Sequence, residues 1–167
     1  MIRTRVLSPQ SVDQIRAAMA RYPESRSALL PALHVAQRQV GYLSVEAMED
    51  VAEVTGLPLN EVASVASFYT MFSLRPVGRH VVRLCTNISC LLCGSDEVLA
   101  HLRRRLGVGP GETTPDGAFT LRVEECLAAC DRAPAMLVNE ELHGRLTTQA
   151  VDTVLDRARG DGQAVGD

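Results

Sequence analysis

The sequence predicts an α+β fold in which an N-terminal helical bundle is followed by a mixed domain of strands and helices. Apolar residues recur at helical spacing in the first half, whereas the second half alternates short β-type runs with helical segments. All five cysteines lie between Cys85 and Cys130, so the halves also differ in chemistry. We expect domains at 1–75 and 76–160 and a flexible tail at 161–167.

Four helices are expected in the first half, and most carry a start or stop signal. Ser8 and Ser44 are good N-caps, and Gly41 and Gly56 are good left-handed ends. Short connections favour a bundle of neighbouring helices. We interpret the apolar stripes as its core: Val12, Ile15, Met19 and Tyr22, then Leu29, Leu33, Ala36 and Val40, then Val45, Met48, Val51, Ala52 and Thr55, and finally Val62 and Val65.

The segment Ser67–Leu74 joins the two halves and carries several of the largest apolar side chains of the protein. It is typical of a buried junction between domains, and a partner-binding patch is the functional alternative.

The second half predicts a sheet covered by helices. We expect strands at 80–84, 119–123, 135–138 and 142–146, with helices at 96–106 and 147–159. The order of strand, helix, strand, hairpin and helix suits a thioredoxin-like sheet.

Composition excludes several classes of function. The net charge is −3, and all 17 basic residues are arginine, which argues against nucleic-acid binding and removes the lysine of a phosphate-binding loop. The stretch from Val62 to Leu74, the longest without a charged residue near the middle of the chain, is too short for a membrane span of about 20 residues, so direct membrane insertion is not expected. We expect a cytoplasmic protein with reduced thiols, whose cysteines are metal ligands or redox groups.

The cysteine spacing leaves several sites open. Four thiolates hold a 2Fe–2S cluster, two on each iron, and two alternative sets fit: Cys85, Cys90, Cys126 and Cys130, or Cys85, Cys90, Cys93 and Cys126. Zinc held by Cys90, Cys93, Cys126 and Cys130 would give a zinc-stabilised interaction module without redox activity. Cys90 and Cys93 are also spaced as a thiol–disulfide pair.

Longer motifs carry a family resemblance. The segments are ALLPALH at 28–34, GYLS at 41–44, FYTMF at 68–72, CTNISC at 85–90, GETTPDG at 111–117, ECLAAC at 125–130 and Ala133-Pro134. With them, residues 8–159 resemble the thioredoxin-like 2Fe–2S ferredoxin subunit of NADH–quinone oxidoreductase, respiratory complex I. Close relatives are the diaphorase-type subunits of NAD-dependent formate dehydrogenases and bidirectional hydrogenases.

The resemblance implies a site and partners. By position, the cluster ligands would be Cys85, Cys90, Cys126 and Cys130, with Cys93 a spare thiol. Ala128 replaces the glycine usual in the family, and its methyl group would crowd the loop if the backbone there had a positive φ. FMN and NADH are expected on a partner subunit that carries a 4Fe–4S cluster, alongside further iron–sulfur subunits. The expected place is a peripheral arm at the cytoplasmic face of the inner membrane.

Overall fold

The computed structural model describes residues 5–161 and divides into two compact units, Met1–Pro76 and Val77–Asp167. The first unit holds helices α1 (Pro9–Met19), α2 (Leu29–Val40), α3 (Val45–Thr55) and α4 (Leu59–Phe68). The second holds, in chain order, β1 (His80–Cys85), α5 (Ile88–Leu92), α6 (Ser95–Leu106), β2 (Phe119–Glu124), β3 (Met136–Val138), β4 (Glu141–His143) and α7 (Thr148–Asp161). Helix α7 ends at residue 161, and the rest of the expected tail, 162–167, lies outside the described residues.

The helix ends of the first unit follow their sequence signals. The Ser8 hydroxyl accepts a hydrogen bond from the Ser11 N–H at 3.2 Å, and the Ser44 hydroxyl accepts one from the Ala47 N–H at 3.1 Å. Gly41 ends α2 with a φ of 88°, a conformation that glycine adopts without the clash of a Cβ atom. The predicted caps are therefore confirmed.

The core of the bundle matches most of the predicted stripes. Its buried members include Val12, Ile15, Leu29, Leu33, Ala36, Met48, Val51 and Val62. Two expected core residues are exposed instead, Tyr22 and Val45. Tyr22 lies beyond the end of α1 at Met19, and Val45 is the first residue of α3, before the helix reaches its neighbours. Both predictions were wrong because each apolar stripe was extended to or past the end of its helix, where the side chain no longer faces the core.

A buried carboxylate fastens the start of the chain to the bundle. Asp50 on α3 has no exposed surface, and its Oδ2 accepts hydrogen bonds from the backbone N–H groups of Val6 at 2.7 Å and Leu7 at 2.8 Å. These bonds satisfy the carboxylate away from water. Asp50 stands beside the predicted stripe of α3, so the apolar pattern gave no sign of it.

The segment Ser67–Leu74 is divided between interior and surface. Phe72 is buried, with its ring centroid 5.0 Å from that of His34. The Gln37 side chain fixes the loop by donating to the Met71 carbonyl at 3.0 Å and accepting from the Ser73 N–H at 2.7 Å. Phe68, by contrast, is 77% exposed. A uniformly buried junction is therefore the wrong description of this segment.

The second unit is built on a four-stranded sheet of order β2-β1-β3-β4. Strands β1 and β2 are parallel, whereas β1 pairs antiparallel with β3 and β3 with β4. One face of the sheet packs against α6 and α7 in a core that includes Leu84, Leu102, Leu121, Met136, Val151 and Leu155. Among residues 5–161, no helix is both long enough and apolar enough to cross a membrane.

The last strand differs from its expected range of 142–146. β4 ends at His143, and Leu146 is buried outside the sheet, with its N–H donating to the Pro134 carbonyl at 3.1 Å. Gly144 lies so close to the backbone after Cys130 that an added Cβ would stand 2.8 Å from the Arg132 carbonyl oxygen. This close approach turns the chain out of the strand earlier than expected.

Candidate functional site

The sheet brings two cysteine-bearing loops to the same end, where strands β1 and β2 finish. Cys85 is the last residue of β1 and pairs in register with Glu124, the last residue of β2. Because the two strands are parallel, the chain leaves both at the same end of the sheet. The segments 85–93 and 125–130, which contain all five cysteines, begin at that end.

A one-turn helix shapes the first loop. The Asn87 side chain caps α5 by accepting from the Ile88 N–H at 2.8 Å. Helix α5 turns Cys90 inward, where it is 2% exposed, and turns Leu92 to the surface. No helix was expected at 88–92, so α5 is an addition to the predicted elements. An asparagine before apolar residues at helical spacing was the available signal.

The second loop contains a residue in the left-handed region. Ala128 has a φ of 55°, so the condition under which its methyl group crowds the loop is met. This conformation turns the Ala128 N–H toward the Cys126 Sγ at 3.2 Å. A short 3-10 turn, Cys130–Arg132, follows.

A third segment joins the two loops. The Cys85 N–H donates to the Ala135 carbonyl at 3.0 Å, and the Ala135 N–H faces the Cys90 thiol. Pro134 follows a cis peptide bond. Cys85, Cys90, Ala129 and Ala135 form a small apolar cluster of their own, apart from the main core of the sheet.

The thiols influence one another across the two loops. Burial raises the pKa of Cys85, but hydrogen bonds from the Asn87 and Leu127 N–H groups and from the thiols of Cys90 and Cys126 outweigh it, so the pKa lies below its usual range. Burial, followed by the neighbouring Cys85, raises the pKa of Cys90 to about 11, and Cys130 adds to the rise. Cys85 and Cys90 are thus each influenced by a cysteine of the other loop.

Cys93 stands apart from these four thiols. It is exposed at the C-terminal end of α5, and in the described part of the chain its side chain has no interaction with another cysteine. The thiol–disulfide interpretation of Cys90 and Cys93 gains no support from this arrangement.

The donors at the site fit a 2Fe–2S cluster in their chemistry. Such a cluster is held by four thiolates, two on each iron, and four cysteines lie on the two loops besides Cys93. Within residues 5–161, no three His, Cys, Asp or Glu side chains already form a group around one point. The backbone donors also fit, because N–H groups of Asn87, Leu127, Ala128 and Ala135 point to sulfur atoms that would carry negative charge. No motif had predicted these donors, because any residue except proline supplies an N–H group.

The fold and the paired thiols define a class of protein. The model of the family described as thioredoxin-like [2Fe-2S] ferredoxin matches residues 15–159. This chain belongs to that family, which confirms the resemblance and the fold class inferred from its motifs.

Named relatives give a more particular similarity. An E-type subunit of the NADH-quinone oxidoreductase of Rhizobium meliloti (strain 1021) is 48% identical over 147 residues, which cover 88% of this chain and 88% of the relative. The E-type subunit of the NADH-quinone oxidoreductase of Escherichia coli (strain K12) is 38% identical over 151 residues, covering 90% of this chain and 91% of the relative.

A solved structure shares the fold. The crystal structure of NAD+-reducing [NiFe]-hydrogenase in the H2-reduced state matches with a TM-score of 0.68 and 26% identity over 79% of this chain. The matched part spans only 22% of that hydrogenase chain.

Proposed function

We propose that this chain is the 2Fe–2S electron-transfer subunit of an NADH–quinone oxidoreductase and carries one such cluster. The observation that carries the proposal is the meeting of two cysteine-bearing loops at one end of the sheet, where parallel β1 and β2 place the Cys85 Sγ 3.9 Å from the Glu125 carbonyl, directly before Cys126. Membership in the family and the names of the relatives support it. The chain then belongs to an oxidoreductase as a subunit and does not contain the complete active site.

The proposed ligands are Cys85, Cys90, Cys126 and Cys130. Each of these thiols interacts with at least one of the others, and Cys93 interacts with none of them in the described residues. This pattern favours the set made of Cys85 with Cys90 and Cys126 with Cys130 over the sets that include Cys93. It also disfavours the zinc set, which leaves Cys85 without a role although this thiol is buried and is influenced by Cys90 and Cys126.

The residues around the site are suited to hold a group that changes its charge. When bound, a 2Fe–2S cluster supplies one-electron transfer. Backbone N–H groups stabilise negative charge on the sulfurs, and the small apolar side chains of Ala129 and Ala135 limit access of water. These are the means by which this chain would set the reduction potential.

Hydride chemistry belongs to a partner in this proposal. NADH gives up two electrons together, and this sequence has no Gly-x-Gly-x-x-Gly motif for the dinucleotide. We therefore assign FMN, NADH and a 4Fe–4S cluster to a partner subunit, with further iron–sulfur subunits beyond it. The complex would place this chain in a peripheral arm at the cytoplasmic face of the inner membrane.

A second candidate has its own supporting observation. The likeness to the NAD+-reducing hydrogenase favours a diaphorase-type subunit of such a hydrogenase, or of an NAD-dependent formate dehydrogenase. A complex isolated through a tag on this chain distinguishes the candidates, because it would reduce quinone, oxidise hydrogen or oxidise formate.

Two exposed cysteines provide a matched test of the ligand set. Cys93→Ser should retain two irons and two acid-labile sulfides per chain, whereas Cys130→Ser should lose the cluster or change its spectrum, because only Cys130 is a proposed ligand. Iron and sulfide analysis with electron paramagnetic resonance of anaerobically prepared, reduced protein makes the measurement.

Three outcomes contradict this assignment. A colourless wild-type chain that holds one zinc would replace the electron-transfer proposal with the interaction module. Loss of the cluster in Cys93→Ser together with its retention in Cys130→Ser would show that Cys93, and not Cys130, is the fourth ligand. Wild-type protein without iron and sulfide after reconstitution would remove the electron-transfer function altogether.

A further inference from the structure

The outer surface of α5 is the most exposed apolar surface near the cysteine loops. Leu92 is 82% exposed, Ile88 is 67% exposed and Leu91 is 45% exposed. Ile88 precedes the two leucines by three and four residues, which places all three on one face of the helix. We call these three residues the α5 apolar face.

This face lies directly over the candidate site. Cys90 is on the opposite side of the same short helix and is buried against Cys85 and Ala135. A helix with its side chains is about 10–12 Å across, so a protein seated on the α5 apolar face comes within about one helix diameter of the inner thiol. Together these three side chains leave a large apolar area in water, and a contact made here would exclude that water.

Three exposed carboxylates without an ion-pair partner in residues 5–161 lie near the same end of the unit. Asp96 and Glu97 occupy the first turn of α6, which follows α5 after a break of two residues, and Glu125 follows β2 beside Cys85. All three are exposed, and none forms an ion pair in residues 5–161. The basic Arg132 nearby is already paired with Asp131 at 3.5 Å.

The charge selects the kind of partner. Two copies of this chain that met through the α5 apolar face would bring acidic borders together, and anionic membranes and nucleic acids would be repelled as well. A protein with an apolar recess bordered by arginine or lysine is complementary to both the apolar and the acidic parts.

We propose that the α5 apolar face, with its acidic border, is the surface on which the flavin-bearing subunit docks, and that this subunit presents a basic-rimmed apolar recess to it. The proposal rests on the proposed function, because it takes the identity of the electron-transfer partner from there. It adds which surface of this chain makes the contact and which surface chemistry the partner must offer.

The test uses the full chain loaded with its cluster and the purified NADH-oxidising flavin subunit of the same complex. Leu92→Glu should raise the dissociation constant of the pair tenfold or more, because a charge would enter an apolar contact. The double variant Asp96→Asn, Glu97→Gln should weaken binding at low salt and reduce its dependence on salt. Electron paramagnetic resonance should show an unaltered cluster in each variant.

Matched variants control for added and removed charge. Leu142→Glu changes a leucine that is 37% exposed on β4 of the same unit, and Glu24→Gln removes an exposed carboxylate of the first unit, so neither should change the affinity.

An unchanged affinity of cluster-loaded Leu92→Glu overturns the proposal and leaves the proposed function intact. A dimer of the wild-type chain that Leu92→Glu disrupts would assign the face to a second copy and also overturns it. Failure of the wild-type chain to hold a cluster is the separate result that counts against the proposed function.

Discussion

Ala128 illustrates how one backbone conformation couples local strain to the site. Its φ of 55° is a conformation that costs an L-residue with a side chain about 1–2 kcal/mol. The same conformation directs its N–H to the Cys126 Sγ. The second cysteine loop therefore retains a strained residue where it supplies a donor to sulfur.

Relief of this strain should stabilise the protein. Ala128→Gly is expected to raise the free energy of unfolding by about 0.5–1 kcal/mol, because glycine adopts a positive φ without steric cost, although it gains freedom in the unfolded chain. This change should raise the melting temperature of the cluster-loaded chain by about 1–4 °C.

The adjacent alanine is the control. Ala129 has a φ of −119° and is buried, so Ala129→Gly removes packing and relieves nothing, and it should lower the melting temperature. Equal effects of the two substitutions would show that the conformation of Ala128 is not strained.

At the scale of elements, a polar clamp joins α6 and α7. The His101 Nε2 lies 2.9 Å from an Asp152 carboxylate oxygen, and Arg105 contacts both Asp152 at 3.2 Å and Asp156 at 2.6 Å. The hydrogen bond from His101 lowers the pKa of Asp152, burial opposes this effect, and the charges of His101 and Arg105 assist it. The clamp thus ties the two helices that cover one face of the sheet.

The clamp should make the free energy of unfolding fall as the solution becomes acidic. Because folding lowers the pKa of Asp152, its ionised form contributes fully above the unfolded value of about 3.9, and the contribution is lost as the pH falls through the lower native value. Between about pH 5 and pH 2, the wild type should lose stability more steeply than Asp152→Asn. Urea unfolding of the cluster-free, reduced chain at a series of pH values measures this difference.

His101→Gln tests whether the hydrogen bond from His101 is the main reason for the lowered pKa of Asp152. It removes the largest contribution to the pKa shift of Asp152, so its acid dependence should lie between those of the wild type and Asp152→Asn. Superimposable pH profiles for wild type and Asp152→Asn would show that the clamp does not influence stability.

Elements with strong local signals could be predicted from the sequence, whereas elements defined by distant contacts could not. Ser44 and Gly56 bracket α3 because caps act on their own helix ends. The early end of β4 depends on the approach of Gly144 to Arg132, which no local pattern reports. At the site, the cysteines were visible in the sequence, but the donation from Leu127 to Cys85 and from Ala135 to Cys90 arises only when distant segments have come together.

At the scale of the whole molecule, the two units have separate apolar cores. One includes Leu33 and Val51, and the other includes Leu84 and Leu121. All five cysteines belong to the second unit. Loss of a bound cluster should therefore act on one core and spare the other.

Hydrogen–deuterium exchange measured before and after removal of the cluster tests this expectation. Amide protection should fall in peptides that cover 85–93 and 125–136, because a ligand stabilises the structure that binds it. Protection in α2 and α3 should stay within error. A comparable loss of protection in both units would show that they unfold as one.

The parallel pairing of β1 with β2 has a consequence for biogenesis. Cys90 and Cys126 are separated along the chain by α6 and β2, so the ribosome releases one loop well before the other. The proposed four-sulfur site is complete only after the later strand has joined the earlier one. Factors that deliver iron and sulfide would therefore act on a chain whose sheet has already formed, and a nascent chain that ends before β2 would have no complete site to load.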